Sequence, residues 1–324
     1  MTVRRAAAEA RSRLLVEDGH DTARISCAFV NNMPDGAFEA TERQFLGLLD
    51  GASRTEEIEV RLYAMNGIPR QEKTARRIAE EYLPLTSLHL EPPDVLVVTG
   101  SNPIEPRIED EPYWDDLAEL LSWARGHVRS TLLSCLSAHA ALTIFDDVAR
   151  VRLPAKCAGV FPQDVEVAHE LTEGLDPKIL LPHSRWNTVP REALERVGYD
   201  VLIHSETTDW GAAVRKEDGR QLVLVQGHPE YDPWSLLREH RRDAGRYVRH
   251  ERDDLPYLPY HCVSSDDWKD LERIHHQIIE GDRDPLILDQ YPFDEVGTRA
   301  PWPWHEVAIR LYANWLSSVK RGGD

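Results

Sequence analysis

Between residues 24 and 150 the hydrophobic and polar positions alternate between two periods. Short apolar, β-branched runs at Arg24–Val30, Ile58–Tyr63, Asp94–Val98 and Thr131–Ser134 read as strands. Between them, Thr41–Leu49, Lys73–Tyr82 and Trp114–Val128 carry apolar residues at helical spacing, and Leu136–Ile144 follows the fourth strand without a break. In the first helix Phe45, Leu48 and Leu49 fall on one side. This β-α-β-α rhythm predicts an α/β fold with a mostly parallel sheet and helices on both faces.

The texture changes after residue 150. Val160–Val167, Val201–Ile203 and Ala212–Arg215 read as strands, and Glu217-Asp218-Gly219 makes a hairpin turn into Gln221–Val225. Leu236–Val248 is again helical. Asp254–Glu295 is polar and rich in Asp, His and Pro, which predicts a surface excursion with one helix near Trp268–Ile279. Val307–Val319 closes the pattern as an amphipathic helix. Its Trp315 and Leu316 are expected to pack on the core rather than serve a subunit interface. No repeat or low-complexity linker divides the chain. Residues 24–324 are therefore expected to form one domain, with the excursion near 254–297 and an exposed amphipathic helix over 1–23.

Composition narrows the partners. Asp and Glu number 56 against 38 Lys and Arg, a formal charge of -18, which repels phosphate backbones and anionic lipid surfaces. Nucleic acid and membrane are thus not expected as partners, although a local basic pocket for an anionic ligand is compatible with that charge. Apolar runs such as Val95–Val98 and Leu222–Val225 are strand-sized, too short to span a bilayer. The arginines of the first twenty residues are interrupted by Glu9, Glu17 and Asp18, so cytoplasmic residence is expected. Four scattered cysteines, Cys27, Cys135, Cys157 and Cys262, fit a reducing compartment and form no zinc pattern. His275 and His276 adjoin without further ligands, so no metal is expected.

In open parallel sheets ligands bind beyond the carboxyl ends of strands, which here means Gly100, Cys135 and His228. Cys135 stands where a strand runs directly into a helix. Such a residue projects from the sheet edge, and the free N–H groups and dipole of the helix that follows favour a thiolate and then an oxyanion. The bland alternative is a buried core cysteine. His228-Pro229-Glu230 places a carboxylate two residues from a histidine, on the same side of an extended segment, where it fixes the tautomer and stabilises the imidazolium. Cys27, inside a strand, and Cys157 are rival thiols; His139, one turn into the helix, and His183, in a polar loop expected to line the pocket, are rival bases.

These residues, with Asn31-Asn32-Met33-Pro34, Glu42–Leu49, Val97–Gly100, Tyr113-Trp114, Lys156–Val160, Pro182-His183-Ser184-Arg185, Gly227–Asp232, Arg242-Asp243 and Asn314–Leu316, resemble the homoserine O-succinyltransferase and O-acetyltransferase family. The resemblance implies a class I glutamine amidotransferase-like (flavodoxin-like) fold and ping-pong acyl transfer to the hydroxyl of homoserine or a related hydroxy-amino acid. Acyl-CoA would be the co-substrate, with no permanently bound cofactor. It implies Cys135 as acyl-accepting nucleophile, His228 as general base, Glu230 as its orienting partner, and Lys156, Ser184 and Arg242 as the amino-acid site. Backbone N–H groups near Leu136 and the Gly100-Ser101 loop would hold the oxyanion, and a homodimer is compatible with the family.

Three departures mark a divergent member. Ile104 and Glu105 stand where acyl choice is made; a branched side chain would crowd a succinyl tail and a carboxylate repel it, which favours acetyl. The excursion is long, with Trp304-His305 in place of Trp-Arg, and 65–93 is only loosely similar, which leaves serine open as acceptor. A glutamine amidohydrolase on the same scaffold is the competing enzyme, and a non-catalytic binding protein the competing class.

Overall fold

The computed structural model describes residues 3–5, 24–53, 57–166, 168–281 and 283–321. In chain order the strands are β1 (Val3–Arg5), β2 (Ile25–Asn31), β3 (Ile58–Ala64), β4 (Val95–Val98), β5 (Ser130–Ser134), β6 (Val151–Val165), β7 (Lys178–Thr188), β8 (Asp200–Ser205), β9 (Asp209–Glu217) and β10 (Arg220–Val225). The helices are α1 (Asp35–Ala52), α2 (Glu72–Glu81), α3 (Trp114–His127), α4 (Leu136–Asp146), α5 (Arg191–Arg196), α6 (Ser235–Val248), α7 (Ser265–Glu280), α8 (Phe293–Arg299) and α9 (His305–Arg321). All ten strands join one sheet in the order β1-β3-β2-β4-β5-β10-β9-β8-β6-β7. Neighbours are parallel from β1 to β10 and antiparallel beyond.

Strand alternation builds two cores. Cys27, Phe29, Val95 and Val97 point to the face covered by α1, α6, α7 and α9, while Ala28, Val30, Leu96 and Val98 point to the face covered by α3, α4 and α5. Both faces are apolar, which is why the parallel strands read as near-continuous hydrophobic runs rather than alternating ones. Trp315 and Leu316 of α9 are buried as expected, and the Trp315 indole donates to Ser130 Oγ at 2.7 Å.

Three expectations change. Residues 3–5 form a strand beside β3 rather than part of a helix, and the remainder of 1–23 lies outside the described residues. The Pro-His-Ser-Arg segment is not a loop but the middle of edge strand β7, paired with β6 through His183–Gly159 and Ser184–Ala158. Pro182 hid it: an edge strand tolerates a residue that cannot donate to the ladder. The polar excursion is also more than surface. Leu271, Ile274 and Ile278 of α7, with Leu258, Cys262, Tyr291 and Val296, are buried in the core shared with α6, and a second helix, α8, follows. The excursion enters by pairing with β6, where Val160 N–H donates to the Tyr260 carbonyl at 2.8 Å and Tyr260 N–H to that of Ala158 at 3.0 Å.

Candidate active site

The carboxyl ends of β4, β5 and β10 meet at one point. Cys135, between β5 and α4, has φ 51° and ψ -106°, and its N–H donates to the Val225 carbonyl of β10 at 2.7 Å. A non-glycine residue there is strained, and the strain aims the side chain away from both flanking elements. Gly100 supplies the room. A Cβ on it would sit 3.4 Å from both Cys135 Cβ and Leu136 N. Leu136 and Ser137 open α4, where main-chain N–H groups have no acceptor one turn back. Ser137 Oγ donates to the Thr99 carbonyl, tying the helix start to the end of β4, and Ser101 follows Gly100 half-buried.

His228 follows β10. Its N–H donates to the Pro182 carbonyl of β7 at 2.7 Å, its Nδ1 lies 2.8 Å from Glu230 Oε1, and Tyr231 stacks on the ring at 4.3 Å. Nε2 is buried without a hydrogen-bond partner among the described residues. Burial disfavours the charged ring, but Glu230 and Cys135 outweigh it and lift the His228 pKa well above its ordinary value. The structure thus brings Cys135, His228 and Glu230 together.

Cys27 is fully buried in β2 with its thiol pushed up to about 12, and burial also raises Cys157. His139 packs inside, 3.0 Å from Gln226 Oε1, and burial lowers its pKa to about 4. His183 is buried against Gly227, rather than lining a pocket from a loop, and burial holds it neutral.

Lys156, Ser184 and Arg242 come from β6, β7 and α6, and converge on two acids absent from the sequence-derived set. Lys156 Nζ lies 3.1 Å from Glu239 Oε2 and 3.0 Å from Asp243 Oδ2. Ser184 Oγ donates to Glu239, Tyr231 OH donates to Glu239 Oε1 at 2.5 Å, and Arg242 Nε donates to Asp243 Oδ1 at 2.9 Å. Burial pushes the Glu239 carboxyl up, but Lys156, Arg242 and the two hydroxyls bring it down to about 2. Glu239, Arg242 and Asp243 share a face of α6 at spacings of three and four, a signal visible in the sequence once Arg242 is singled out. The Arg242 side chain remains 44% exposed, so its guanidinium stays open to a ligand.

The side chains of Ile104 and Glu105 are both exposed, Ile104 by 68%. Their main-chain N–H groups donate to Glu111 Oε1 at 2.8 and 3.0 Å, which orders the loop from within. Trp302 and Trp304 both donate their indole N–H to the Tyr231 carbonyl, at 3.0 and 2.8 Å, bracing the segment after Glu230. Among the described residues no three His, Cys, Asp or Glu side chains gather to hold a metal, and no helix is long and apolar enough to cross a membrane.

Solved structures with this architecture include a glutamine amido transferase from Methylobacillus flagellatus (TM-score 0.50, 14% identity, 92% of this chain and 96% of that one) and SMU.1228c (TM-score 0.52, 13% identity, 91% and 99%). The fold is class I glutamine amidotransferase-like. Within that class the chain belongs to the homoserine O-succinyltransferase family, whose model matches residues 16–321. It is 36% identical over 296 residues to a homoserine O-succinyltransferase of Rhodopseudomonas palustris, spanning 91% of this chain and 88% of the relative. A second, from Bradyrhizobium japonicum, is 35% identical over 304 residues, 93% and 92%.

Proposed function

We propose that this chain transfers a succinyl group from succinyl-CoA to the hydroxyl of homoserine through a thioester on Cys135. The observation that carries the reading is the juxtaposition of Cys135, on its strained elbow, with a histidine held by Glu230. The names of the family and its relatives, homoserine O-succinyltransferases, support this choice of acyl group and acceptor. They favour succinyl over the acetyl expected from Ile104 and Glu105.

In the first half-reaction the Cys135 thiolate attacks the thioester carbonyl, and the Leu136 and Ser101 N–H groups face the developing oxyanion. The carbonyl re-forms as the bond to the coenzyme sulfur breaks, and the His228 imidazolium gives its proton to that leaving thiolate. In the second, neutral His228 takes the proton from the acceptor hydroxyl as its oxygen attacks the acyl-enzyme. Collapse releases the ester, returns Cys135 to thiolate and leaves His228 protonated.

Lys156, Ser184, Glu239, Arg242 and Asp243 form a site of both signs within one cluster. An α-amino acid carries both signs on one carbon: its carboxylate suits the half-open Arg242 guanidinium, and its ammonium the Glu239–Asp243 pair. Initial rates with both substrates varied test the sequence of steps. Parallel double-reciprocal lines with succinyl-CoA and homoserine are expected, with serine a poorer acceptor. Intersecting lines, or glutamine hydrolysis without coenzyme A, would contradict the reading.

A further inference from the structure

The loop leaving Gly100 beside the nucleophile is gripped from two sides. Glu111 accepts from its main-chain N–H groups, as described, while Arg150 Nη2 donates to the carbonyls of Glu105 and Pro106, each at 3.2 Å. Arg150 Nε and Nη1 are buried with no acceptor among the described residues. Unpaired buried donors on a permanently charged group are costly and call for a function. A second guanidinium near Cys135, that of Arg185, is tied more fully: its Nη1 and Nη2 donate to the carbonyls of Asn187 at 3.2 Å and Thr208 at 2.5 Å, which leaves Nε alone without an acceptor among the described residues, whereas Arg150 keeps both Nε and Nη1.

We propose that Arg150 receives the distal carboxylate of a dicarboxylic acyl group carried on Cys135, and so selects succinyl over acetyl. This rests on the succinyl reading above. The carboxyl carbons of a four-carbon diacid lie roughly 4 Å apart, so the far carboxylate of the acyl group stays within the surroundings of the thioester carbon. Arg150 holds the loop that leaves Gly100 beside Cys135, and the Cys135 sulfur acts on its charge together with Glu111, Tyr113 and Glu109. Burial lowers its pKa, yet a guanidinium stays charged. Glu109 and Glu111 contribute negative charge without closing an ion pair to it, so an acyl carboxylate would be its first direct anionic partner among the described residues.

The test is kcat/KM for succinyl-CoA and acetyl-CoA in the wild type, Arg150→Met and Arg150→Lys. The succinyl-to-acetyl ratio does not depend on the fraction of enzyme that folds, so a destabilised variant still reports. The wild type is expected to prefer succinyl-CoA. Arg150→Met should lower the ratio by roughly 10- to 100-fold, the loss of a charge-assisted hydrogen bond, and Arg150→Lys by less. An unchanged ratio in Arg150→Met, with the wild type preferring succinyl-CoA, would overturn the role of Arg150 alone and leave it a brace for the loop. A wild type that prefers acetyl-CoA would overturn both this proposal and the succinyl reading.

Discussion

Cys135 holds a left-handed backbone that costs about 1–3 kcal/mol, and three neighbours over-determine it: the Val225 carbonyl, the bare Cα of Gly100 and the start of α4. Beside it, the raised pKa of His228 stems from Glu230 and Cys135 acting against burial. Glu230→Gln removes the first of these, so the His228 limb of the pH–rate profile should move to lower pH and kcat should fall by about 10²–10⁴. A limb that stays in place would separate Glu230 from His228. Glu239 is shifted the other way. Its carboxyl titrates at about 2, below the ~4.3 of an unfolded glutamate. Its stabilising contribution is therefore complete above that unfolded value and lost as pH falls toward 2. Thermal unfolding followed through that window should show a shallower loss of stability in Glu239→Gln than in the wild type; equal slopes would detach Glu239 from the ion-pair cluster.

At the scale of elements, one glycine decides how the excursion docks. Gly159 of β6 has φ 151°, and a Cβ there would meet the Tyr260 carbonyl oxygen at 2.6 Å and its nitrogen at 2.7 Å. Gly159→Ala is expected to lower stability by more than about 1 kcal/mol in denaturant unfolding, with the loss arising where the excursion joins the sheet. An unchanged midpoint would mean that the connection yields freely. The same element explains what sequence pattern left hidden. β2 to β5 and β10 were legible because strands buried on both faces are runs of Val, Leu and Phe. β7 was not, because Pro182, His183 and Arg185 owe their places to partners across the sheet. The buried positions Leu271, Ile274 and Ile278 did recur at helical spacing, but the polar residues between them, Glu272, Arg273, His275, His276 and Gln277, weighted the reading toward solvent.

For the whole molecule, a net charge of -18 surrounds a site in which Arg150 and Arg185 act electrostatically on Cys135, while Lys156 and Arg242 are paired with Glu239 and Asp243. Positive charge is thus concentrated locally within an acidic molecule. The proximity of Cys135, His228 and Glu230 was readable because each follows a strand at the sheet's carboxyl edge. The contacts of Glu239 and Asp243 were not, since Lys156 reaches both, and Ser184 reaches Glu239, from strands remote in the chain. Intact mass of the protein after mixing with succinyl-CoA, with no acceptor present, should rise by one succinyl group, remain unmodified in Cys135→Ala, and return to the starting mass on adding homoserine. An unmodified wild type that still forms ester when both substrates are present would contradict the covalent route through Cys135.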